Sequence, residues 1–123
     1  MISHVSIGVR DLASAGKFYD AALAALGYKR LYDSSEVLGY GAENPELWVM
    51  KVERPVKADE ASGLHLCFDA TDHAAVDGFH KAGIKAGGHD NGKPGVRKDY
   101  GDNYYAAFLV DPEGYRLEAY CGR

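Results

Sequence analysis

Along residues 4–9 the apolar side chains Val5, Ile7 and Val9 alternate with His4, Ser6 and Gly8. That period of two predicts a strand with one buried face. The period then changes. Leu12, Ala15, Phe18, Tyr19, Ala22, Leu23 and Leu26 recur at three- and four-residue spacings, which predicts a helix over 12–26 with one apolar stripe. Asp11 can cap its first turn, and Gly27 can end its last. Extended segments follow at 29–33, 36–40 and 47–52, then a linker over 53–62 that holds Pro55 and several charges. Beyond it the pattern predicts a strand at 64–70, a helix at 72–86, a Gly-rich loop at 87–102 and a strand at 104–110. The turn Asp111-Pro112-Glu113-Gly114 leads into a last strand at 115–120.

The chain repeats itself. A shift of 61 positions lays His4 on His65, Asp11 on Asp72, Ala13 on Ala74, Phe18 on Phe79, Ala21 on Ala82, Ala25 on Ala86 and Gly27 on Gly88. The expected unit is βαβββ, used twice: a first module over about 1–53 and a second over about 63–121, within one domain of 123 residues. The fold class is α+β, with the two modules forming a curved mixed sheet, helices on its outer face and an open cleft on the other. Alternation sends His4, Ser6 and Gly8 to the cleft side, together with His65 and Cys67, and with Arg116, Glu118 and Tyr120.

Composition narrows the partners. The net charge is −4 with no basic stripe, which argues against nucleic acid as the main partner. No apolar run approaches the ~20 residues of a membrane span. Two cysteines, Cys67 and Cys121, suit reduced thiols and a cytoplasmic protein more than a disulfide framework. Glycine is frequent, at 15 residues, which predicts many tight connections.

Two imidazoles and a carboxylate on one surface suit a divalent first-row metal with positions left for substrate. His4, His65 and Glu118 are therefore the expected ligands. The bland alternative leaves both histidines as polar residues beside the cleft and pairs Glu118 with Arg116 or a lysine. His73, His80 and His89 read as solvated helix or loop residues, and Cys67 as a small packing residue. Arg97, Lys98, Tyr100, Tyr104 and Tyr105 cluster in or after the segment Gly92-Lys-Pro-Gly-Val-Arg-Lys-Asp-Tyr, which reads either as a solvated loop leading into a strand or as a lid over the cleft with Arg97 holding a substrate carboxylate or phosphate. Tyr104 and Tyr105 are consecutive, so only one can face the cleft. Its hydroxyl could orient substrate or donate a proton, as could that of Tyr120.

Four segments carry a resemblance: His4-Val-Ser-Ile-Gly-Val-Arg-Asp-Leu, Lys17-Phe-Tyr-Asp, Gly63-Leu-His-Leu and Asp111-Pro-Glu-Gly-Tyr-Arg-Leu-Glu. Nearly the whole chain resembles the vicinal oxygen chelate superfamily, which includes glyoxalase I, extradiol dioxygenases and the bleomycin and fosfomycin resistance proteins. The resemblance implies one divalent metal (Fe, Ni, Zn or Mn) on His4, His65 and Glu118, a small oxygen-chelating substrate and a homodimer. It leaves open whether the three ligands meet within one chain or across the dimer. It implies a glyoxalase-like lyase or isomerase, or a ring-cleaving dioxygenase. A metal-free binder of the bleomycin-resistance kind is the alternative. One departure stands out. Glyoxalase I has a further glutamate ligand on the last strand of its first module, and counting from the repeat puts Trp48 there, with Glu46 two residues away. An indole cannot ligate, so the site resembles a two-histidine, one-carboxylate centre with an aromatic surface for a planar or apolar substrate.

Overall fold

The structure is a computed structural model describing residues 1–123. The first module runs β1 (Val5–Val9), α1 (Leu12–Ala24), β2 (Lys29–Asp33), β3 (Val37–Gly41) and β4 (Leu47–Lys51). After a short 3-10 turn at Glu60–Ser62, the second runs β5 (His65–Asp69), α2 (His73–Lys85), β6 (His89–Val96), β7 (Tyr105–Val110) and β8 (Arg116–Cys121). The repeat is therefore βαβββ twice. Each helix starts on an aspartate: Asp11 accepts the Ser14 amide at 3.0 Å, and Asp72 the Ala75 amide at 2.8 Å. These caps satisfy donors that the first turn leaves unpaired. Gly27, at φ +88°, turns the chain out of α1 in a left-handed conformation that a side chain would disfavour.

The strands form two four-stranded sheets, ordered β1-β4-β3-β2 and β5-β8-β7-β6. In each, the first strand pairs parallel with the last and the other ladders are antiparallel. No ladder joins the two sheets, so the expected curved sheet is built from two separate halves. The segment 87–102, expected as a loop, contains the edge strand β6. Gly92 and Gly95 remove its alternation, and Pro94 suits only an edge. Two register shifts mark its ladder with β7.

One core runs through both modules. Phe18 of α1 lies against Gly83 and Gly88, where an added Cβ would come within 3.2 and 2.5 Å of its ring. The hydroxyl of Tyr19 donates to the buried carboxylate of Asp111. Tyr28 donates to the Asp69 carbonyl at 2.9 Å, and Tyr115 to the Gly8 carbonyl at 2.6 Å. Arg10 pairs with Glu113 at 2.9 Å. His80 departs from its expected solvation. It is buried, and its Nε2 lies 2.8 Å from an Asp90 oxygen, tying α2 to β6.

Candidate active site on the second sheet

The β5–β8 ladder sets His65 opposite Arg116, Cys67 opposite Glu118, and Asp69 opposite Tyr120. Alternation puts these six side chains on one face of the sheet. On β7, Phe108 stands opposite Glu118 and Ala106 opposite Tyr120. The neighbouring apolar positions Leu66, Phe68, Leu117 and Ala119 turn the other way and pack on the core. Burial of one face thus fixes which residues the other presents.

Glu118 is the centre of that face. Only 4% of it is exposed. Its Oε1 lies 2.7 Å from His65 Nε2, and its Oε2 accepts the Tyr104 hydroxyl at 2.5 Å. Both carboxylate oxygens are held, which offsets the cost of burying the charge. Desolvation first and the Glu118 carboxylate second raise the Tyr104 phenol above its ordinary value. The Cys67 sulfur also adjoins Glu118. Although the residue is exposed, its thiol is pushed up to about 12, by desolvation first and Glu118 second, so it is protonated at neutral pH. Tyr104 packs against Tyr120, with ring centres 4.2 Å apart and planes tilted by 35°, and meets the edge of Tyr100 at 5.2 Å. Tyr105 points away: its ring stacks on His73 at 3.9 Å and its hydroxyl donates to Asp77.

The result is an open hollow lined by His65, Tyr100, Tyr104, Phe108 and Glu118. Tyr100 belongs to the tyrosine- and arginine-bearing segment that the sequence offers as a cover for the cleft, whereas nothing in the sequence pattern singles out Phe108 beyond the parity it shares with Tyr104. The ion pair of Glu118 with Arg116 or a lysine does not form. Arg116 donates instead to the Gly114 carbonyl at 2.8 Å.

His4 stands apart from this cluster. No group of three His, Cys, Asp or Glu side chains in the chain is spaced to hold a metal ion. His4 is exposed, with Nδ1 2.9 Å from the Ser3 hydroxyl. It borders a mostly apolar cavity of about 310 Å³ between the modules, beside Leu66, Cys67 and Phe68. One chain therefore brings together two ligand-type side chains, not three. An imidazole nitrogen and a buried carboxylate turned toward each other are the right donors for a divalent transition metal, and they are one ligand short of an expected set.

The first sheet presents the matching face differently. Ser6 pairs with Trp48 as Cys67 pairs with Glu118. The registers so align Trp48 with Glu118, and Glu46 precedes β4. The indole lies over Gly39, where a Cβ would sit 2.7 Å from the ring, and Tyr32 meets it at 5.5 Å. Gly39 makes room for the ring, which leaves Trp48 a fixed, half-buried plate.

Arg97 and His65 both lie near the Phe108 ring. The guanidinium carbon of Arg97 is 5.2 Å from the Phe108 ring centre, and that ring is 6.0 Å from His65. The two terminal nitrogens of Arg97 donate to the carbonyls of Gly95 at 2.9 Å and Lys93 at 2.6 Å.

Two βαβββ modules, each with a helix on one face and an open face carrying polar and aromatic residues, define a vicinal oxygen chelate fold. Solved structures agree. A glyoxalase/bleomycin resistance protein from Albidiferax ferrireducens T118 is 31% identical over 96% of this chain and 95% of its own, with a TM-score of 0.81. The chain belongs to the glyoxalase/bleomycin resistance protein family of the vicinal oxygen chelate superfamily. A glyoxalase/bleomycin resistance protein/dioxygenase family enzyme from Burkholderia phytofirmans PsJN shares the fold at 22% identity, over 97% of this chain and 96% of its own, with a TM-score of 0.70. So does the fosfomycin resistance protein FosX from Mesorhizobium loti, at 18% identity, 100% and 92% coverage and a TM-score of 0.71. No family model matches the chain, and no curated protein matches it by sequence. No helix is long and apolar enough to cross a membrane.

Proposed function

We propose that this protein is an enzyme that binds one divalent transition metal and acts on a small substrate through two neighbouring oxygens. The supporting observation is the buried Glu118 carboxylate facing His65 Nε2 at 2.7 Å with Tyr104 on its second oxygen. Iron, nickel, zinc or manganese each suit an imidazole and carboxylate set. The bound ion would polarise the substrate oxygens and stabilise negative charge developing on them. Tyr104 orients Glu118 and holds a proton at its phenol oxygen beside the substrate. Tyr120 supplies an aromatic wall for a planar substrate, and Trp48, on the same sheet as His4, adds another from the copy that lends His4. The chemistry is that of a glyoxalase-like lyase or isomerase, or of a ring-cleaving dioxygenase.

The third ligand in this reading is His4 of a second copy, so the working unit is a homodimer. Two features support this. His4 is exposed and has no acidic partner, and the open face of the first sheet leaves Tyr32 and Met50 uncovered in the single chain. The two free thiols fit a reducing, cytoplasmic setting.

Subunit mixing tests the reading. His4→Ala and Glu118→Ala variants purified alone should each lose metal. Co-expressed, they should form mixed dimers with one intact site, and regain up to half the wild-type metal in that population. No regain, with mixed dimers demonstrated, would overturn the shared site. Wild-type protein that lacks metal yet binds small molecules in chelator would instead make this a metal-free binder.

A further inference from the structure

Five of this chain's positive side chains can be sorted by what holds them. Arg10 pairs with Glu113, Arg30 with Asp20 and Asp33, and Lys57 with Asp59. Arg97 and Arg116 pair with no carboxylate, although each is half-buried. Arg97 is the better placed of the two. Its hollow, formed with Gly92, Lys98, Asp99 and Tyr100, shares Phe108 and Tyr100 with the hollow of His65 and Glu118. The two hollows adjoin at these rings, and a ligand seated over Phe108 would enter both as one groove.

A guanidinium carries five N–H donors. Arg97 commits one to each of two backbone carbonyls of its own segment, and its face rests on Phe108. Backbone carbonyls fix a side chain without neutralising it. The positive charge and the remaining donors are therefore pre-positioned at one end of the groove, at little further entropic cost on binding. Lys98 adds to that charge, and Asp99 on the same rim opposes it. Asp90 is otherwise engaged, with His80 and the Gly92 amide.

We infer that the substrate is an organic anion, whose carboxylate or phosphate group is taken by Arg97 while its chelating oxygens lie at His65 and Glu118. The substrate class rests on the proposed function for its chelating half alone. The anionic half rests on Arg97. Both ends border one aromatic ring, Phe108, so a compact substrate spans them.

Titration calorimetry with defined probes tests this. On zinc-loaded protein, 3,4-dihydroxybenzoate should bind at least about tenfold more tightly than catechol, the worth of a charge-assisted, bidentate contact. That preference should shrink as salt is raised. In Arg97→Met it should fall to within about twofold while catechol binding is unchanged. Arg97→Lys, which keeps the charge, should retain part of it, and the emission of Trp48 reports whether each variant is folded. A (3,4-dihydroxyphenyl)phosphonate probe distinguishes the sources: tighter binding than the benzoate assigns a phosphate-type group, weaker binding a carboxylate. Equal binding of dihydroxybenzoate and catechol to wild type would overturn the inference. So would a preference that survives Arg97→Met. Benzoate against benzyl alcohol on metal-free protein separates the two readings. An Arg97-dependent preference there, in protein that binds no zinc, keeps this inference and removes the metal. Zinc binding with no anion preference does the reverse.

Discussion

Asp111 shows how one side chain can join two modules. It is 1% exposed, and one oxygen accepts the amides of Glu113, Gly114 and Tyr115 at 2.9 Å each. The other accepts the hydroxyl of Tyr19, from the helix of the other module. Burial raises its carboxyl above the ordinary value, with the Tyr19 hydroxyl and the three amides pulling the other way. Removing the acid would leave two fully buried donors unpaired, the Tyr19 hydroxyl and the Tyr115 amide, each costing ~1–3 kcal/mol. Asp111→Ala should therefore destabilise the fold by about 3 kcal/mol and Tyr19→Phe by about 1 kcal/mol, measured by urea unfolding. At Glu118 the same logic serves chemistry. Glu118→Gln keeps the shape but loses the charge that faces His65 and Tyr104, so the Tyr104 phenol should titrate closer to its ordinary value. The sequence showed Asp111 only as a turn residue, because a buried carboxylate and an exposed one look alike until the partner from α1 is known.

At the scale of the element, alternation explains the site. His65, Cys67, Glu118, Tyr120 and Phe108 share a face because their neighbours must reach the core. For all of these but Phe108, that much was legible from Leu64–Phe68 and Arg116–Tyr120. The cap at Asp11 was legible too, since its signal is local, and the repeat lays Asp72 on it, although Asp72 precedes the second helix rather than opening it. Strand β6 was not. Its two glycines and a proline erase the period, and its pairing comes from β7, distant in sequence. Trp48 is the other element-scale feature. It is the chain's one tryptophan, lying on β3 at Gly39. Gly39→Ala puts a methyl into the indole's place. It should cost about 1–3 kcal/mol, as overpacking does, and shift the emission maximum to the red as Trp48 moves into water. Unchanged emission would mean that the indole does not depend on the missing side chain.

Across the whole molecule, tyrosine binds the parts together. Tyr19, Tyr40 and Tyr115 are buried, and burial is the first cause raising each phenol above its ordinary value. A raised folded pKa gives stability that is fully present below the unfolded value and is lost as pH rises beyond it. The unfolded value is about 10, so stability should be flat with respect to these groups at neutral pH and fall above about pH 10. Ultraviolet titration should show exposed tyrosines ionising first, with Tyr19, Tyr40 and Tyr115 following only as the chain unfolds. The two-module plan could be read from the repeat, whereas the arrangement of the modules could not. Sequence parity placed His4 and His65 on equivalent strand positions, but parity says nothing about how far apart two separate sheets hold them. In one chain His4 borders the inter-module cavity, and Glu118 finds His65 and Tyr104 instead. Cobalt(II) titration, followed by visible absorption and sedimentation, tests the metal reading most directly. Wild type should take up one ion per chain as a dimer, and Glu118→Ala should bind it far more weakly. Equal stoichiometry and affinity in that variant would contradict it.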